Sequence, residues 1–83
     1  MKNETEDKPL EDYVLVSSSN ISAVRYVADE STLFVVFSSG AQYAYGSVPQ
    51  SVYDGLIGAE SVGRYFHSCI RNVYPARRIE EEE

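Results

Sequence analysis

The sequence predicts an α+β domain: a three- to four-stranded antiparallel β-meander followed by two α-helices packed on one face. Three observations lead there. Up to residue 45 the apolar residues alternate or run in short β-branched blocks, and from residue 50 onward they recur at helical spacing. Clusters of Ser, Gly, Asn and Asp punctuate the blocks in the first half. At 83 residues, without an internal repeat, the chain holds one small core.

Taken in order, "YVLV" at residues 13–16 is a short apolar run that fits an edge strand, ended by "SSSN". Residues 21–27 alternate at period two, the pattern of a strand with one covered face. "ADES" is turn chemistry, and "TLFVVF" is a β-branched and aromatic run expected as a central strand buried on both faces. "SSG" turns the chain into "AQYAY", with Gly40 supplying the positive φ that a tight hairpin requires. Pro49 suits the start of a helix, "QSVYDGLI" repeats apolar residues at Val52, Tyr53, Leu56 and Ile57, and Gly58 reads as the C-terminal cap. A second helix carries a stripe of Val62, Tyr65, Phe66, Cys69, Ile70 and Val73, and Pro75 stops its continuation.

Charge divides the chain into three parts. Residues 1–12 hold five acids against Lys2 and Lys8, and residues 80–83 are all glutamate, so both ends read as acidic, disordered tails around a domain at 13–79. The formal charge of −6 therefore belongs to the tails, because residues 13–79 contain four acids and five arginines. An alternative is that the four glutamates fold back over the arginines and compete with an anionic ligand. No apolar run is long enough to span a membrane and the first residues lack the apolar core of a signal peptide, so a cytoplasmic protein without a membrane partner is expected. The single cysteine, Cys69, excludes an internal disulfide and a cysteine metal cluster, and it reads as a small buried apolar residue.

The candidate site residues follow from geometry. Arg64, His67 and Arg71 share the flank of the second helix that the apolar stripe leaves outward, and Gly63 and Arg64 lie in its first turn, where an anion is favoured. Tyr43 and Tyr45 project from one face of a strand about 6.6 Å apart, a spacing that suits two bases. The competing expectation packs both tyrosines beneath Val62, Tyr65 and Phe66 with their hydroxyls at the rim, and pairs the arginines with Asp54 and Glu60 on the surface. Catalysis is not expected. His67 and Ser68 diverge by about 100° on a helix, and the chain has no Gly-rich phosphate loop, metal-ligand spacing or paired carboxylates. No cofactor or metal is called for.

The segments "SSNISAVRY", "LFVVFSSGAQYAYGSVP", "VYDGLIGAESVGRYF" and "IRNVY" in this order resemble the KTSC domain, a module named for its place at the C-terminal end of some lysyl-tRNA synthetases and also found as a stand-alone protein. The resemblance spans residues 17–74, with Tyr43-Ala44-Tyr45 as its hallmark, followed by Val48-Pro49, Ser61-Val62-Gly63 and Ile70-Arg71. His67 stands where the family pattern has an asparagine. The resemblance implies the fold, and fusion to a tRNA enzyme implies RNA as a partner. The resulting expectation is a non-catalytic module that binds nucleotide or RNA phosphates through Tyr43, Tyr45, Arg64, His67 and Arg71. Two other readings stay open: a protein–protein interaction module contacting partners through Tyr13, Tyr74 and the arginine flank, and a small viral-type protein that sequesters a signalling nucleotide across a homodimer interface; the small core by itself makes homo-oligomerisation an expectation.

Overall fold

In the computed structural model, which describes residues 13–79, five strands form one antiparallel sheet in strict sequence order. They are β1 (Val14–Leu15), β2 (Ile21–Val27), β3 (Thr32–Phe37), β4 (Gln42–Tyr45) and β5 (Ala76–Ile79). Helices α1 (Gln50–Ile57) and α2 (Val62–Cys69) intervene between β4 and β5. The expected acidic tails at 1–12 and 80–83 lie outside the described residues.

The meander and the two helices are as the sequence pattern predicts; β5 is an addition to them. It pairs with β4, Tyr45 opposite Ala76 and Gln42 opposite Ile79, and the Gly46 N–H donates to the Pro75 carbonyl at 2.9 Å to start the ladder. Gly40 adopts φ 100° in the β3–β4 turn, a conformation in which a side chain would be strained. Ser31, Ser47 and Asn72 also sit at positive φ. The Val48 N–H donates to the Ser31 carbonyl at 2.8 Å, which ties two of these turns together.

Register decides which side chains the helices cover. Residues directly opposite across a ladder share a face. Val24, Val35 and Tyr43 lie in one row, and Tyr26, Leu33 and Tyr45 in the next, all facing the helices. A bulge between Ile21 and Ala23 lets Ile21 face inward opposite Phe37. The core gathers these residues with Val48, Leu56, Val62, Phe66 and Ile70. α1 is seated by Leu56 and by Tyr53, whose ring stacks on Tyr26 at 5.0 Å, while the Tyr26 hydroxyl donates to the Val48 carbonyl at 2.6 Å.

Two expectations are revised here. β3 is buried on one face only: Leu33 and Val35 are inaccessible, whereas Phe34 and Val36 are half-buried on a face that no described helix covers. The apolar stripe of α2 also stops short, because the helix ends at Cys69 and Val73 is 57% exposed. The Ile70 and Arg71 N–H groups both point at the Phe66 carbonyl, each at 2.9 Å, so the last turn widens before Asn72 reverses the chain.

Candidate functional site

Where the C-terminal end of α2 passes over the covered face of the sheet, an open cleft of about 870 Å³ remains. Its floor is aromatic. Phe37 meets Tyr43 edge-on at 5.7 Å and Phe66 at 5.6 Å, and Tyr45 meets Phe66 at 5.4 Å, so four rings interlock by edge-to-face contacts. Tyr43 and Tyr45 are neighbours at 6.4 Å. Tyr45 is nearly buried and Tyr43 half-buried, so both tyrosines belong partly to the core, and both still line the cleft with their outer edges.

The rim is polar and comes from three loops. Asn20 precedes β2, Ser38 and Ser39 form the β3–β4 turn, and Arg71 and Asn72 follow α2, with His67 on the helix between them and the floor. The Ser38 N–H donates to the Asn20 carbonyl at 2.7 Å and the Ser38 hydroxyl to the Ser19 carbonyl at 3.1 Å, fixing the first two loops against each other. Among the described residues no carboxylate lines the cleft. Burial pushes the Tyr45 phenol above the ordinary tyrosine value and Tyr43 adds to this, while the Arg71 guanidinium pulls it the other way. Arg71 thus acts electrostatically on the buried ring and stays exposed to solvent.

Of the five residues the sequence singles out, Tyr43, Tyr45, His67 and Arg71 converge on the cleft; Arg64 does not. Arg64 is exposed in the first turn of α2, where its backbone N–H donates to the Ser61 hydroxyl cap at 3.3 Å. Helical angles alone put Arg64 and Arg71 on one flank. Past Cys69, however, the widened turn carries Arg71 off the helical spiral. Ion pairs of Arg64 or Arg71 with Asp54 or Glu60 are not formed. The only described side-chain partner of Asp54 is the Gln50 amide, which donates at 3.4 Å.

Sequence reasoning missed Asn20, Ser38 and Ser39, since each stands on a loop and only the fold brings the loops together, whereas Asn72 was legible as an outward neighbour of Arg71. For the loops the sole advance signal was Gly63. It also lines the cleft, and a Cβ there would stand 3.1 Å from the Ser18 hydroxyl, so the glycine admits the loop before β2 against α2. Chemically the arrangement offers hydroxyl, amide, imidazole and guanidinium donors around a flat aromatic floor. Among the described residues no group of three His, Cys, Asp or Glu side chains is placed to hold a metal ion, and no helix is long and apolar enough to cross a membrane.

A family model described as the KTSC domain matches residues 17–74. A protein of Tsukamurella paurometabola is 41% identical over 56 residues, 68% of this chain and 84% of its own length. A lysine–tRNA ligase of Nostoc is 41% identical over 61 residues, 74% of this chain and 11% of the ligase. The crystal structure of a KTSC domain protein from Yersinia pestis superposes with a TM-score of 0.80 at 31% identity, covering 82% of this chain and 96% of that one.

Proposed function

The chain belongs to the KTSC domain family, and from that premise we propose that it is a non-catalytic module that binds a nucleotide or the phosphate-bearing nucleotide unit of an RNA in the α2 cleft. One observation carries the reading: the cleft sets Arg71, His67 and four polar loop residues around an aromatic floor, and no carboxylate among the described residues lines it. Such a site attracts an anion and offers ring edges to a base. The occurrence of a similar segment within lysine–tRNA ligases points to RNA as the context. A cytoplasmic setting goes with this reading.

Arg71 is the phosphate contact, His67 and Asn72 are supporting donors, and the outer edges of Tyr43 and Tyr45 are the base contacts. A hydrolytic role lacks support because no carboxylate among the described residues stands in the cleft to orient His67. The test is the melting temperature of the protein against a panel of ribonucleoside monophosphates and inorganic phosphate. A binder at a hundredfold excess over its Kd adds about 2.7 kcal/mol, a readily measured shift. Arg71→Ala removes the shift, and Arg64→Ala leaves it in place. A panel without any stabilising member, or equal losses in the two variants, overturns the proposal.

A further inference from the structure

The face of the sheet turned away from the helices has a composition of its own. At its strand positions stand Leu15, Ala23, Arg25, Val27, Thr32, Phe34, Val36, Gln42, Ala44, Arg77 and Ile79, as the ladder registers require. Its charged members are Arg25 and Arg77, and none of its strand positions is acidic. Leu15 is 74% exposed and Phe34, Val36 and Ile79 are half-buried, so apolar surface is left open to solvent.

Four of these residues form one row across four strands: Arg25 lies opposite Phe34, Phe34 opposite Ala44, and Ala44 opposite Arg77. With strands about 4.8 Å apart, the two arginines stand about 14 Å from each other, one on either side of an aromatic ring. The Arg25 guanidinium lies over the Phe34 ring, 5.3 Å from its centre, so Arg25 takes one face of this ring. Beside Arg77 the small Ala44 leaves a shallow hollow of about 210 Å³, bordered by Thr32, Gly46, Pro75 and Ala76.

We propose that this row, Arg25–Phe34–Ala44–Arg77, is a second binding surface that takes a single-stranded stretch of nucleic acid across the strands. One base stacks on the face of Phe34 that Arg25 leaves, on the side of Ala44, and Arg25 and Arg77 hold the phosphates on either side. A sheet face that no described helix covers, with an aromatic on its central strand, supplies the platform, and arginines at its borders supply the backbone contacts. Charge selects this occupant over a second copy of the chain, since an isologous pairing of the two faces would bring arginines against arginines. The site is separate from the α2 cleft, which lies on the opposite face, and each can fail without the other.

The test is fluorescence anisotropy with a labelled oligouridylate, titrated at several salt concentrations. The expected result is binding that weakens roughly fivefold or more in Arg77→Ala and in Phe34→Leu, a volume-conserving change that removes the stacking ring. The slope of log affinity against log salt should fall by about 1 in Arg25→Ala and in Arg77→Ala. Circular dichroism melts of each variant confirm that the sheet is intact, and Arg77, being exposed on an edge strand, keeps the experiment informative if Phe34→Leu fails to fold. The proposal is overturned by the absence of oligouridylate binding, by binding that only Arg71→Ala abolishes, or by a preference for an acidic peptide over the oligonucleotide.

Discussion

Tyr45 shows how one residue serves both core and cleft. Its ring packs on Phe66 and opposite Leu33, and its hydroxyl end reaches the field of Arg71. Burial raises its pKa, so the folded state holds the phenolic proton more tightly than the unfolded chain does. The associated stability is fully present below the unfolded value near 10 and is lost as pH rises through the higher folded value. Urea titrations repeated at increasing pH should therefore show wild-type stability falling above pH 10, and Tyr45→Phe should flatten that part of the profile. Arg71→Ala should deepen the loss and extend it to higher pH from the same onset, because the guanidinium offsets part of the upward shift. That Tyr43 and Tyr45 share a face was legible from strand period two. Which face they occupy was not, because it depends on a bulge at Ile21 and Ala23 and on where the helices land.

At the scale of the element, the helices were readable from their apolar spacing, and their seats were not. α1 and α2 meet where the Tyr65 side chain lies across Gly55, and a Cβ built on Gly55 would run into the Tyr65 hydroxyl and ring. Gly55 therefore admits the neighbouring helix, although mid-helix glycine is otherwise unfavourable. Gly55→Ala should cost about 1–3 kcal/mol in chemical denaturation despite alanine's better helix propensity, and a gain in stability would show that the helices part without penalty. Ser61 caps α2 through the Arg64 N–H, and Ser61→Ala should cost about 1 kcal/mol by the same measurement. β5 escaped the sequence reading for physical reasons: "ARRI" shows no clear apolar alternation, its partner strand lies thirty residues earlier in the chain, and Pro75 reads as a stop.

Across the whole molecule, β5 completes the sheet and covers the edge of β4. A chain ending at Tyr74 should melt at lower temperature and self-associate in sedimentation, because an unpaired β4 edge is exposed. Removing only residues 80–83 is the control and should leave the melting temperature unchanged. The sheet also separates two chemistries, with an aromatic cleft beneath α2 on one face and an arginine-flanked platform on the other. Only the first was visible in the sequence, since the second depends on a four-strand register.

The strict strand order also has a kinetic consequence. The pairings β1–β2, β2–β3 and β3–β4 all join neighbours along the chain, so they close small loops and form early. Pairing β4 with β5 must wait for residues 46–75 to fold back with both helices, the longest loop closure among these strands. Amides of the β2–β3 hairpin should therefore gain hydrogen-exchange protection first in refolding, and the β4–β5 ladder last. Until that last step, Tyr43 and Tyr45 stand on an unfinished strand.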